Sequence, residues 1–290
     1  MIQIRVASNI GFCCGVKRAV DIAFKALEDG KRKLYSLGRI IHNPQMTEKL
    51  TESGLEVVSD LNNIKEGRFL VRSHGVHPDL IKELASRGIE IIDATCPFVK
   101  STQYLISELR EEGYKIIIVG EKEHPEVKSL IGYAESQAMV ISEPGEVRED
   151  SFNRSHRWAV VAQSTQSQRN FQEVISRLLR ENLSELRIFF TICQETLKRE
   201  SLTRDLAGTC DLIIVVGGFD SANTRRLKEM ASSFEAVSYQ VENAAQINKD
   251  WLKGLGSVGI VSGTSTPEWV VNEIVKKINE EMCCGTAKVT

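Results

Sequence analysis

The chain has 290 residues, 42% of them hydrophobic and 26% charged, with a formal net charge of −2. That composition is ordinary for a globular protein and argues against binding to nucleic acid or to an anionic membrane surface. Its apolar runs, such as residues 212–216, are far too short to span a bilayer, and its first residues read as a strand, not as a secretory leader. Seven scattered cysteines at this length argue against a disulfide scaffold and for the cytoplasm.

In chain order, a predicted strand over 2–6 leads to Cys13 and a helix over 16–26. A strand over 33–37 ends in a loop from Gly38 to His42, and a helix starts near Pro44. Strands over 55–58 and 69–71 follow, the second running into Ser73-His74-Gly75 ahead of a helix from Pro78. The cycle then restarts. A strand over 89–92 leads to Asp93-Ala94-Thr95-Cys96-Pro97, with Pro97 suited to the first turn of a helix over 98–110. A strand over 114–119 ends in a loop from Gly120 to His124, and a helix starts near Pro125. Strands over 138–141 and 158–162 come next, the latter entering Gln163-Ser164-Thr165 before a helix from Gln168. The third cycle has a strand over 186–190, Cys193, a helix over 197–206 and a strand over 212–216. It closes with a loop from Gly217 to Ser221, a helix near Asn223, strands over 235–239 and 258–261, Gly263-Thr264-Ser265 and a helix from Pro267.

Alternating strands and helices predict an α/β fold with mainly parallel sheets, and the restarts predict a threefold internal repeat. In such sheets ligands bind beyond the C-terminal ends of the strands. Polar residues fall there nine times: Cys13, Cys96 and Cys193; His42, His124 and Ser221; His74, Ser164 and Ser265. Three units facing one centre would bring them together, although separate beads on a string would give the same local pattern.

Three converging thiolates suit zinc or an iron–sulfur cluster. With no CxxC pair, ligands drawn from three separate units fit the larger group. Cys210, Cys283 and Cys284 read as small buried hydrophobes, and so does Cys14, because neighbours in a tight turn point apart. His42, His74 and His124 recur in equivalent loops, whereas His77 and His156 read as ordinary surface or core residues. Histidines at helix starts donate to anions, which predicts a phosphate or carboxylate ligand. Ser221, Asn223 and Ser265 serve that role or simply cap helices. Glu126, in the first turn after His124, either complements the helix dipole and faces water or delivers a proton, with Ser164 and Thr165 extending the relay. Gly254-Leu255-Gly256-Ser257-Val258-Gly259 matches a dinucleotide fingerprint in spelling only, because a strand follows it instead of a helix. Electrons are therefore expected from another protein.

Gly11-Phe12-Cys13-Cys14-Gly15-Val16, Ile41-His42-Asn43-Pro44, Ser73-His74-Gly75-Val76 and Asp93-Ala94-Thr95-Cys96-Pro97 occur in order. His124-Pro125-Glu126-Val127, Ser221-Ala222-Asn223 and Ser265-Thr266-Pro267 follow. With these the chain resembles, over essentially its whole length, the 4-hydroxy-3-methylbut-2-enyl diphosphate reductases, the IspH or LytB family of the non-mevalonate isoprenoid pathway. The resemblance implies a trefoil of three α/β units around a [4Fe–4S] cluster held by Cys13, Cys96 and Cys193, with one iron open to the substrate hydroxyl. It implies units at 14–96, 97–193 and 194–290, the last closed by strand 1–13. His42, His74, His124, Ser221, Ala222, Asn223 and Ser265 would lie at the diphosphate, Ser164 and Thr196 near the substrate, and Glu126 at the centre of proton delivery. The implied donor is ferredoxin or flavodoxin.

Five residues depart from the family pattern. Ser164 stands for threonine, Ala222 for serine or glycine, Cys14 for alanine or phenylalanine, and Phe219-Asp220 for Lys-Asn. An acid at 220 disfavours a nearby diphosphate unless it faces away. Three rivals remain open on the residues alone: a three-cysteine zinc hydrolase, a different three-unit cluster enzyme such as quinolinate synthase, and a non-catalytic cluster sensor.

Overall fold

Apolar residues flanked by glycine loops make the central strands, and the computed structural model describes residues 2–30, 32–148 and 152–283. The first cycle comprises β1 (Gln3–Val6), α1 (Cys14–Glu28), β2 (Leu34–Leu37), α2 (Pro44–Glu52), β3 (Leu55–Val58), β4 (Arg68–Val71) and α3 (Pro78–Ser86). The second comprises β5 (Glu90–Asp93), α4 (Pro97–Glu111), β6 (Lys115–Val119), α5 (Pro125–Tyr133), β7 (Met139–Ile141), β8 (Arg157–Ala162) and α6 (Gln168–Leu178). The third comprises β9 (Glu185–Ile188), α7 (Gln194–Ala207), β10 (Leu212–Val216), α8 (Ala222–Ser232), β11 (Val237–Val241), β12 (Ser257–Ser262) and α9 (Glu268–Cys283).

Among the described residues all pairings are parallel and form three four-stranded sheets, ordered β3-β2-β4-β5, β7-β6-β8-β9 and β11-β10-β12-β1. The order is the same each time. The fourth place is taken by the strand that leads to a cysteine: β5 to Cys96, β9 to Cys193 and β1 to Cys13. A backbone bond repeats as well: the N–H groups of Gly38, Gly120 and Gly217 donate to the carbonyls of Val58, Ile141 and Val241.

The chain divides into two compact units. One consists of Met1–Cys14, His42–Met46 and Gln194–Thr290 and contains the sheet with β1. Here β10 is buried on both faces, as a covered parallel strand must be. Leu212, Ile214 and Val216 pack with Val270, Val271 and Ile274 of α9, while Ile213 and Val215 pack with Ala207, Leu227 and Ala231 on the opposite face. Each of these Leu, Ile and Val side chains contributes about 1.5–3 kcal/mol on burial. Gly259 lies inside β12, where a side chain would meet Ile213, so the glycine run enters a strand as expected. Cys210 is buried beside it, also as expected.

The other unit, Gly15–Ile41 and Thr47–Cys193, contains the remaining two sheets. In it β6 and β8 form the floor of a core that also takes Ile106 and Leu109 of α4 and Val127 and Leu130 of α5.

Most strands lie within one residue of their predicted ranges, and two differ by two residues at an end. β11 lies two residues later than expected, because pairing places Val241 against Val216, where it is fully buried. β9 ends at Ile188, before the predicted 190. Beyond it the Thr191 hydroxyl accepts from Ala162 N–H and donates to Ala162 O, both at 2.7 Å, so a side chain replaces the ladder. Cys284 and the side chain of Cys283, predicted as packing, lie outside the described residues.

Candidate active site

Each of the three repeated cysteines is tied by its own N–H to a loop carbonyl two residues beyond a strand. Cys13 N donates to Thr264 O at 3.0 Å, Cys96 N to Ser73 O at 2.9 Å and Cys193 N to Ser164 O at 2.9 Å. The strand-end loops are thereby fixed against the cysteine loops. The bonds also correct an expected equivalence. Ser164 corresponds to Ser73 and Thr264, one residue earlier in register than the predicted match with His74 and Ser265.

In the second unit, Cys96 and Cys193 share one electrostatic environment with Glu126. Burial pushes the Cys96 thiol up, and the negative potentials of Cys193 and Glu126 push it the same way. The N–H groups of Phe98 and Val99, in the first turn of α4, pull it down. Gly15 of α1 lies against the sulfur: a Cβ there would fall 2.5 Å from Cys96 Sγ. The expected helix-breaking cost of glycine is accepted to leave that room.

Glu126 is 2% exposed, so it does not face water as a dipole-complementing carboxylate would. Its Oε1 accepts from Ser164 N and its Oε2 from Ser164 Oγ, both at 2.6 Å. His124 caps α5, its Nδ1 accepting from Glu126 N at 3.2 Å. That places the proton of a neutral ring on Nε2. The His74 ring stands edge-on to His124 at 5.3 Å between centroids. Gln163, fully buried, accepts from Glu121 N and donates to Thr165 Oγ1 at 2.8 Å. His77 caps α3, in line with its ordinary reading.

In the first unit, Arg199 of α7 is 2% exposed and holds the Cys13 loop. Its Nη2 donates to Gly11 O at 2.7 Å, and its Nη1 to Ser262 O at 2.6 Å and to Gly263 O at 3.2 Å. Burial lowers its affinity for the proton, while Cys13 and Glu195 act in the opposite sense. Thr196 lies in the first turn of α7 and is buried. Ser221 caps α8, accepting from Thr224 N, so its capping role is realised. Ala222 is the first residue of that helix and is buried. Asn223 is 3% exposed, and neither its Oδ1 nor its Nδ2 has a hydrogen-bond partner among the described residues. A buried amide with two unmatched atoms is costly unless a ligand satisfies it. Ser265 does not cap a helix; its hydroxyl donates to His42 O at 3.1 Å. His42 Nδ1 lies 3.5 Å from Asp220 Oδ2, so the acid, unfavourable beside a diphosphate unless it faces away, is turned toward a candidate anion-binding residue.

Cys14 is a correction: it is exposed, because α1 begins there and directs it outward while Gly15 and Val16 turn inward. Gln163, Arg199 and Gly15 were missed by sequence reading. Gln163 and Gly15 adjoin residues that were singled out, and Arg199 lies one turn beyond Thr196.

Residues 4–279 match the family model described as LytB protein. The chain belongs to the LytB protein family. This LytB protein is 41% identical over 278 residues to 4-hydroxy-3-methylbut-2-enyl diphosphate reductase of Geobacter metallireducens, a match covering 96% of this chain and 97% of the relative. The enzyme of the same name from Geotalea uraniireducens is 38% identical, with the same coverage. A solved (E)-4-hydroxy-3-methyl-but-2-enyl diphosphate reductase, described as the terminal enzyme of the non-mevalonate pathway, superposes with a TM-score of 0.71. It is 36% identical and covers 97% of this chain and 100% of its own. A Plasmodium falciparum reductase at 24% identity shares the fold, with a TM-score of 0.89 over 95% of this chain and 87% of that one. No helix among the described residues is long and apolar enough to cross a membrane.

Proposed function

We propose that this LytB protein converts 4-hydroxy-3-methylbut-2-enyl diphosphate to isopentenyl and dimethylallyl diphosphate in non-mevalonate isoprenoid synthesis. The allylic C–O bond breaks, two electrons and two protons enter, and the hydroxyl leaves as water. The observation that carries the reading is Glu126: a buried carboxyl clamped by Ser164 and electrostatically coupled to Cys96, which Cys193 also influences.

Cys13, Cys96 and Cys193 would hold a [4Fe–4S] cluster, the units being 14–96, 97–193 and 194–290 with strand 1–13. The donor set fits such a group. Cys96 is disfavoured as a thiolate by burial and by two neighbouring negative groups, which a bound cationic group would relieve. The space that Gly15 leaves beside the sulfur fits it too. When bound, the cluster supplies the electrons and Lewis acidity toward the hydroxyl.

The protein's own residues do the rest. Glu126, once protonated, delivers its proton through the Ser164 hydroxyl, which donates to the Oε2 of the carboxylate at 2.6 Å. Gln163 fixes Thr165 beside that relay. His124 donates from Nε2 to the diphosphate as a neutral ring. His42, His74, Ser221, Ala222, Asn223 and Ser265 complete the diphosphate site, and Thr196 lies by the organic part of the substrate. Ferredoxin or flavodoxin delivers the electrons singly, in the cytoplasm.

The test is an anaerobic assay with the hydroxymethylbutenyl diphosphate and reduced viologen. Dye oxidation that depends on substrate and is lost in Glu126→Gln is expected; a protein with its cluster in place that oxidises no dye refutes the reaction.

A further inference from the structure

Asp220 lies where an anion is to bind, yet it is held close to His42 by more than chance. Its loop is anchored at several points within the first unit. Phe219 N donates to Glu242 Oε1 at 2.9 Å, and Gln45, three residues beyond His42, donates to Glu242 O at 2.7 Å. Gly218 permits the approach: a Cβ there would fall 2.9 Å from both His42 O and Asp220 Oδ1. Ser265 Oγ donates to that same His42 carbonyl. The two nitrogens of the ring are therefore distinguished. Nδ1 faces the Asp220 carboxylate at 3.5 Å, and Nε2 is buried.

We propose that Asp220 is the positioning residue of His42, and that it strengthens diphosphate binding through that ring. This rests on the diphosphate reading of the site. A carboxylate facing Nδ1 fixes the ring plane from one edge, and the other edge, Nε2, is left to donate to the diphosphate. The arrangement is the reverse of His124, whose Nδ1 accepts from a backbone N–H and which donates from Nε2 while neutral. Glu242 is the other acid of this loop cluster; its Oε1 is committed to Phe219 N.

The sign of one substitution decides the matter. An acid that merely repels the diphosphate makes Asp220→Asn bind more tightly. An acid acting through His42 makes it bind more weakly, with KM rising about threefold, the scale of a partly exposed ion pair, and kcat nearly unchanged. Asp220→Ala, which also removes the acceptor, should raise KM further than Asp220→Asn. In a His42→Ala background the effect of Asp220→Asn should disappear or reverse. Dissociation constants for inorganic diphosphate, measured by calorimetry on the same five proteins, wild type included, should follow the same pattern. Tighter binding by Asp220→Asn, or equal weakening with and without His42, overturns the inference and leaves the reaction standing. A wild-type protein that binds neither diphosphate nor substrate overturns the site reading and this inference together.

Discussion

Glu126 accepts from Ser164 twice, through the backbone N–H and through the hydroxyl, at 2.6 Å each. The same Ser164 lends its carbonyl to Cys193 N at 2.9 Å. One residue thus links the proposed proton carrier to a proposed cluster ligand, so movement of either disturbs the other.

Glu126→Gln should keep the fold, because the amide still offers an oxygen to Ser164 N, and should lose roughly 10²- to 10⁴-fold in kcat as a proton donor does. Ser164→Ala should retain the backbone bond and lose about tenfold. Ser164→Thr should restore or improve on wild type. Steady-state rates with a fixed viologen concentration check all three, and a Ser164→Ala enzyme at full rate would break the relay.

Gly15→Ala gives opposed expectations that one experiment separates. Alanine in a helix is favoured over glycine by about 1 kcal/mol. A Cβ 2.5 Å from Cys96 Sγ costs about 1–3 kcal/mol as overpacking. The melting temperature should fall, and the iron content of anaerobically purified protein should fall with it. Wild type should be brown and Cys96→Ser pale; full iron in Gly15→Ala would mean the sulfur can retreat freely.

Asn223 tests whether its buried amide waits for a ligand. Removing a buried polar group that lacks partners costs little stability. Asn223→Ala should therefore melt within about 1 kcal/mol of wild type while KM rises roughly tenfold or more, the range for hydrogen bonds to charged groups. A large stability loss with KM unchanged would assign the residue to packing.

Glu200 of α7 offers a pH test of stability. It is 5% exposed, and burial pushes its carboxyl up against the pull of Arg226 and Arg204. A folded-state value above the unfolded one gives stability at acid pH that is lost as pH rises through the folded value. Glu200→Gln removes that loss. Melting curves from about pH 4 to about pH 8 should decline less in the variant than in wild type; parallel profiles would contradict the assignment.

The strand–cysteine–helix rhythm made the three sheets legible, because parallel strands buried on both faces read as unbroken apolar runs such as Leu212–Val216. Two edge strands, β9 and β11, were read less well. β11 is only half-buried, and its range depends on pairing with β10, which no local pattern reveals. Glu126, His124 and Asn223 were visible as residue types at helix starts. What they touch was not: the double bond to Ser164 joins residues of separate helix and loop segments. The outward turn of Cys14 follows from where α1 starts, a boundary that local sequence marks poorly. Arg199 looked like any exposed helical arginine, and only the carbonyls of Gly11, Ser262 and Gly263 around it explain its burial.

The pairing of β1 with β12 sets Gln3 against Ser257. A ribosome therefore emits the opening strand long before its neighbour exists. At about 5–20 residues per second the wait lasts roughly tens of seconds. During that interval Ile4 and Val6 have no sheet to join, while the residues around Cys96 and Cys193 can already fold. Cys13, a proposed cluster ligand, follows this late-docking strand, so assembly of the proposed site would wait for synthesis of β12 and not of β1.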